Sequence, residues 1–216
     1  ALPIDARLYL RDEALGAVEL VEAERRPLQN VERLRLLDAP LVLQRYSRLA
    51  YDCNRPPDSP GAMPEMSETT PIPGNMGLSA RDKMARVSAI YWPFHERLAR
   101  MLDQRACEGR ATSLVTIHSF TKMYKGKERE VELGILFDRD ARIADRLIKA
   151  FPKVDVRLNE PYGPKDGVLH TLNLHAAPRG LKSAMIEIRN DFIANERGQN
   201  EWAQRLAMPL IHATTK

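Results

Sequence analysis

Apolar positions recur at spacings of three and four between residues 80 and 107: Met84, Val87, Ile90, Tyr91 and Phe94, continuing to Leu98 and Leu102. That period predicts one long helix with a buried stripe. Ser79 followed by Asp82 supplies a start signal, Gly109 a stop, and Pro93 a kink. Short apolar runs at Thr112–Ile117, Val131–Phe137 and Ala184–Ile188 read as strands, with Val154–Leu158 a weaker one and Pro40–Leu43 a short buried one. Asp140–Phe151 and Asn200–Ala213 read as helices, and residues 7–37, rich in Leu, Val, Ala, Glu and Arg, as helix interrupted near Pro27. Strands alternating with helices predict an α/β fold with a mixed, largely parallel central sheet flanked by helices. The length suits one domain over residues 1–216.

One stretch breaks the pattern. Residues 55–75 are rich in proline and carry almost no periodicity. A loop of that length inside a compact domain is expected to be functional or a lid. Charge narrows the partners: 33 basic and 29 acidic residues are interspersed, leaving only +4. The basic cluster Lys122, Lys125, Lys127 and Arg129 is interrupted by Glu128 and Glu130, so it reads as a solvated loop rather than a nucleic-acid contact. No apolar stretch approaches the roughly 18 residues that span a membrane. Two cysteines, Cys53 and Cys107, argue against a disulfide framework and fit a cytoplasmic setting. The sequence does not indicate an oligomeric state.

Candidate chemistry begins at Tyr51-Asp52-Cys53-Asn54-Arg55-Pro56-Pro57, where a carboxylate, a carboxamide and a guanidinium precede two prolines that force a turn. A guanidinium fork beside a carboxamide suits a small carboxylate, through two parallel charge-assisted hydrogen bonds. His118 emerges where an apolar strand turns polar; an imidazole there can bind a metal or move a proton, or simply satisfy a strand end. Glu187 lies between Ile186 and Ile188, and a buried carboxylate needs compensation. Two readings stand: a structural pair with Arg189, two residues on, or a general base with a shifted pKa. Asn159-Glu160-Pro161-Tyr162-Gly163 is a turn bearing a phenol that can close over a ligand.

Taken together, these segments resemble the N-formylglutamate amidohydrolase family. The resemblance runs from Leu41 to about Leu206, through Leu43-Gln44-Arg45-Tyr46-Ser47-Arg48-Leu49, the Asp-Cys-Asn-Arg-Pro-Pro run, Pro71-Ile72-Pro73-Gly74-Asn75, Ile117-His118-Ser119-Phe120-Thr121, Tyr124-Lys125-Gly126, Asn159-Glu160-Pro161-Tyr162 and Ile186-Glu187-Ile188-Arg189. It implies a fold related to zinc carboxypeptidases and aspartoacylase-type deacylases (phosphorylase/hydrolase-like) and a small-molecule N-acyl amino acid substrate. It implies substrate binding by Asn54 and Arg55, a zinc-ligand role for His118 and a general-base role for Glu187. Arg48, Tyr162, His175 and Arg189 become secondary candidates for substrate contact or site support.

The resemblance also implies zinc, with further ligands from an upstream histidine-bearing motif. No histidine precedes His95 here, and a catalytic zinc site needs three protein ligands. The expectation is therefore that a ligand-bearing segment lies upstream of Ala1, or that this member is metal-poor. The activity implied is hydrolysis of N-formyl-L-glutamate to formate and L-glutamate; the alternatives are a deacylase for another N-acyl amino acid and an inactive carboxylate-binding protein.

Overall fold

The computed structural model describes residues 4–9, 18–23, 37, 39–44 and 46–215. In chain order the strands are β1 (Ile4–Tyr9), β2 (Val18–Ala23), β3 (Leu41–Leu43), β4 (Met66–Ser67), β5 (Thr70–Pro71), β6 (Ser113–Phe120), β7 (Met123–Tyr124), β8 (Lys127–Glu128), β9 (Leu133–Leu136), β10 (Val156–Leu158) and β11 (Lys182–Arg189). The α-helices are α1 (Ala80–Arg86), α2 (Trp92–Cys107), α3 (Ala144–Leu147), α4 (His170–His175) and α5 (Glu196–Thr214).

Among the described residues the central sheet has six strands in the order β10-β9-β11-β6-β1-β2, and it is mixed as expected. It is less parallel than strand–helix alternation suggests. The pairs β10·β9 and β11·β6 are parallel, whereas β11·β9, β6·β1 and β1·β2 are antiparallel. The difference comes largely from β1 and β2, which pair with one another where a helix over residues 7–37 was expected. Ile4-Asp5-Ala6-Arg7-Leu8-Tyr9 and Val18-Glu19-Leu20 alternate apolar with other side chains, and that period of two outweighs the helix-favouring composition. Pro27 and residues 24–36 lie outside the described residues.

The long helix forms with a change of pitch. Ser79 caps α1, its Oγ accepting from the Asp82 N–H at 3.2 Å. Val87–Tyr91 is then a π-helical turn in which the Trp92 N–H donates to the Val87 carbonyl, five residues back. Pro93 has no N–H to give the ladder, and the wider turn immediately before it is how the chain absorbs that loss. Of the expected apolar stripe, Val87, Ile90, Tyr91, Phe94, Leu98 and Leu102 are buried, but Met84 is exposed because it sits on α1 before the helix meets the sheet.

The sheet carries apolar side chains on both faces. On one, Leu114, Leu136 and Met185 pack with Leu98 and Leu102 of α2 and Leu172 of α4. On the other, Val115, Ile117, Ile135 and Ile186 pack with Leu147 of α3 and with Trp202, Leu206 and Leu210 of α5. Because side chains alternate along a strand, Leu114, Thr116 and His118 share the first face with Met185 and Glu187. Both functional candidates therefore sit on the α2/α4 side.

The proline-rich stretch is fastened rather than loose. Buried Asn75 donates to the carbonyls of Leu49 (2.8 Å) and Pro64 (2.7 Å), and Arg86 donates to Ala50 O (2.9 Å), Asn75 Oδ1 (2.6 Å) and Gly74 O (2.6 Å). The Asp52 N–H is held by the Ala62 carbonyl at 2.8 Å, tying the start of the functional run to this loop.

Candidate active site

The site is built around two strand residues placed side by side. In the parallel ladder Glu187 of β11 is the partner of His118 of β6. On its other flank Glu187 faces Gly134 of β9. A Cβ at Gly134 would meet the Glu160 carbonyl oxygen at 2.1 Å, so only glycine lets the segment 159–162 cross here. That segment enters through Asn159, whose Oδ1 accepts from the Phe137 N–H at 2.9 Å, and it delivers Tyr162 to the site.

Burial sets the electrostatics. Glu187 is only 5% exposed, and its Oε2 has no hydrogen-bond partner among the described residues. Loss of hydration pushes its pKa up to about 8, although Arg48, Arg129 and Arg55 pull the other way. Burial likewise lowers His118 to about 3, helped by Arg48 and Arg55 and opposed by Asp52, so its imidazole is neutral at pH 7. Burial alone would raise Asp52; the charges of Arg48 and Arg55 and the Asn54 N–H outweigh it and hold the carboxyl below its usual range. Arg48 Nη2 donates to Asp52 Oδ2 at 2.8 Å, and its side chain stays about half exposed.

The four-residue run divides its labour. Asn54 is buried: its carboxamide nitrogen donates to the Val168 carbonyl, and its oxygen accepts from the Thr171 N–H and hydroxyl, both at 3.0 Å. In this arrangement Asn54 fastens the run to the start of α4. Arg55 Nη1 donates to Asn54 O (2.9 Å) and Gly167 O (3.0 Å), leaving Nε and Nη2 without a hydrogen-bond partner among the described residues. The fork is thus oriented at one edge and open at the other.

His175 lies beneath this run. Its Nε2 is 2.8 Å from His95 Nδ1, and His95 Nε2 is 2.8 Å from the Cys53 carbonyl. A carbonyl only accepts, so His95 donates through Nε2 and accepts from His175 through Nδ1. Burial lowers the pKa of His95 to about 3 and of His175 to about 4, keeping both rings neutral. The pair props the backbone between Asp52 and Asn54.

Arg189 makes its ion pair with Asp191, at 2.8 Å, and not with Glu187. Its Nη1 donates to the carbonyls of Arg129 (3.2 Å) and Glu130 (2.9 Å). The structural Glu187–Arg189 pair anticipated as one reading is therefore absent: β11 ends here, and the side chain turns to the segment leading into β9.

Two residues escaped sequence reasoning. Asp52 received no role, although its spacing of four from Arg48 was a signal for the ion pair. Arg129 was grouped with a solvated basic loop, yet it is half-buried. The hairpin β7–β8 brings it beneath Tyr124 (4.2 Å from guanidinium to ring centroid), Tyr162 (4.8 Å) and Phe120 (5.7 Å). Nothing local in the sequence marks that cage, because Tyr162 comes from a distant turn.

A neutral imidazole, a carboxyl with a raised pKa and open guanidinium groups acting on it suit hydrolysis of a small anionic substrate. A family model for N-formylglutamate amidohydrolase matches residues 5–194. The chain belongs to the N-formylglutamate amidohydrolase family. It is a hydrolase acting on an amide bond. The crystal structure of the gene product Atu2144 from Agrobacterium tumefaciens is similar, at 48% identity and TM-score 0.78, covering 85% of this chain and 75% of that one. N-formylglutamate amidohydrolase from Ralstonia eutropha JMP134, at 19% identity and TM-score 0.59, shares the fold over 86% of this chain and 80% of its own. No curated protein matches the chain.

The family resemblance implies zinc, and the described residues do not fit it alone. Among them no three His, Cys, Asp or Glu side chains group as a metal centre. Asp52, near His118, is engaged by Arg48 and by the Asn54 N–H (3.0 Å). Among the described residues, no helix is long and apolar enough to cross a membrane.

Proposed function

We propose that this chain hydrolyses N-formyl-L-glutamate to formate and L-glutamate. The observation that carries the reading is Glu187: a buried carboxyl beside His118, with one oxygen uncommitted among the described residues and cationic groups acting on it. Such a group is poised to exchange a proton near neutral pH.

In the reaction, Glu187 in its ionised form takes a proton from water as the water oxygen bonds to the formyl carbon. The formyl C–N bond then breaks, and Glu187 returns the proton to the departing nitrogen. Neutral His118 beside it places a second polar group next to the reacting centre. Arg48, whose charge reaches both Glu187 and Tyr162, offsets negative charge growing on the formyl oxygen. The open edge of Arg55 holds a substrate carboxylate, with Asn54 fixing the backbone behind it. Arg189 and His175 support the site through the segments they fasten. No step is routed through a metal, because the described residues do not compose its ligand set.

The test is release of amino acid by the protein from N-formyl-, N-acetyl- and N-succinyl-L-glutamate, with and without added zinc. Turnover of the formyl compound above the other two is expected. Turnover of either larger acyl compound alone would assign the site to another N-acyl amino acid.

A further inference from the structure

We propose that Arg129 is the specificity residue of this site, binding the side-chain carboxylate of a dicarboxylic substrate while Arg55 binds the α-carboxylate. This rests on the amide-hydrolase reading above and names what selects the acidic side chain.

The two guanidinium groups come from different segments, and both charges reach Glu187. Arg55 belongs to the run fastened to α4. Arg129 lies between β8 and β9 and bonds Tyr162, on the flank of β11 where Gly134 and the 159–162 segment meet Glu187. Its charge acts on Glu187, as do those of Arg48 and Arg55. A substrate lying across Glu187 thus has a second guanidinium to meet besides that of Arg55.

Arg129 is also held as a binding group is held. Its Nη1 donates to the Tyr162 hydroxyl at 3.0 Å and to Thr121 O at 3.4 Å. Its backbone N–H is fixed by Lys122 O at 2.8 Å, and Arg189 anchors its carbonyl. Three aromatic rings surround the guanidinium. Yet Nε and Nη2 have no hydrogen-bond partner among the described residues, and no carboxylate there pairs with it. Arginines in an aromatic setting lose hydration, which strengthens their grip on an incoming carboxylate. N-formyl-L-glutamate carries two carboxylates, and Arg55 accounts for one.

The experiment compares wild type and Arg129→Gln on N-formyl-L-glutamate and N-formyl-L-glutamine, together with calorimetric binding of glutarate and butyrate. Expected is a fall of about 30- to 100-fold in kcat/KM for the glutamate compound, carried mainly by KM, so that the preference over the glutamine compound collapses. Glutarate should lose its advantage over butyrate in the variant. Arg129→Lys, which keeps the charge and loses the fork, should recover part of the preference. Equal discrimination in wild type and variant overturns the assignment. If wild type turns over neither compound, the hydrolytic reading fails, and the glutarate-to-butyrate ratio still decides Arg129. Should the glutamine variant not fold, wild-type protein binding glutarate no better than butyrate would overturn it equally.

Discussion

Behind the sheet, α3 and α5 meet β9 and β11 through Leu147, Trp202, Leu206 and Leu210. In front, the layer made by α2, α4 and the turns after Tyr51 buries Asp52, Asn54, His95, Thr171 and His175 among its apolar side chains. Both layers exclude water, but they hold their parts differently. Dispersion and hydrophobic burial are non-directional, so they fix helices only as well as shape complementarity allows. Hydrogen bonds at 2.8 to 3.0 Å to the Cys53 carbonyl and the Asn54 carboxamide fix individual backbone atoms. The polar layer stands where Asp52 and Arg55 must be aimed, and the apolar layer where only support is needed.

Substitutions can break this contrast. Among substitutions outside the reacting groups, Gly134→Ala should have the largest effect, since the new Cβ must displace the Glu160 backbone and with it Tyr162. A loss of about 100-fold or more in kcat/KM is expected, with a lowered Tm. Leu206→Ala, in the apolar layer, should cost about 2 to 5 kcal/mol in denaturant unfolding while leaving kcat/KM within about threefold below the transition. His175→Ala should show the reverse weighting. It removes the partner of His95 and so loosens the Cys53 carbonyl, and steady-state kinetics should lose about tenfold for a stability cost of about 1 to 3 kcal/mol. Thr171→Val is the mildest. Asn54 keeps the Thr171 N–H and loses only the hydroxyl, so about 1 kcal/mol and a severalfold rise in KM are expected. Equal ratios of activity loss to stability loss across both layers would remove the distinction.

Much of the fold was legible because it rests on local signals. Ser79 and Asp82 did mark a helix start, and the ends of the apolar runs that became β6, β9 and β11 lie within three residues of their expected places. The failure over residues 7–37 came from weighing helix propensity above a short alternating pattern, when pairing in a sheet decides such segments. At the site, His118 and Glu187 could be read from strand ends, but their adjacency is a matter of register between segments about seventy residues apart. The His95–His175 pair and the cage around Arg129 join α2 to α4 and a hairpin to a distant turn. No spacing along the chain encodes such contacts.

The central claim is that Glu187 is the proton acceptor, and its raised pKa gives the claim a sign. The ionised form acts as base, so kcat/KM should climb as the pH rises through about 8. The same shift, from an ordinary 4.5, means that the folded state holds this proton more tightly than the unfolded chain. Its contribution to stability is full below about 4.5 and is lost as the pH rises through about 8. The decisive measurement is formate release from N-formyl-L-glutamate by wild type and Glu187→Gln between pH 6 and 10. The account predicts a rise in wild-type rate with a midpoint near 8, and at least about a thousandfold loss in the variant, which also keeps its stability at alkaline pH. A variant that retains the wild-type rate, or a wild-type profile flat across that range, would contradict it.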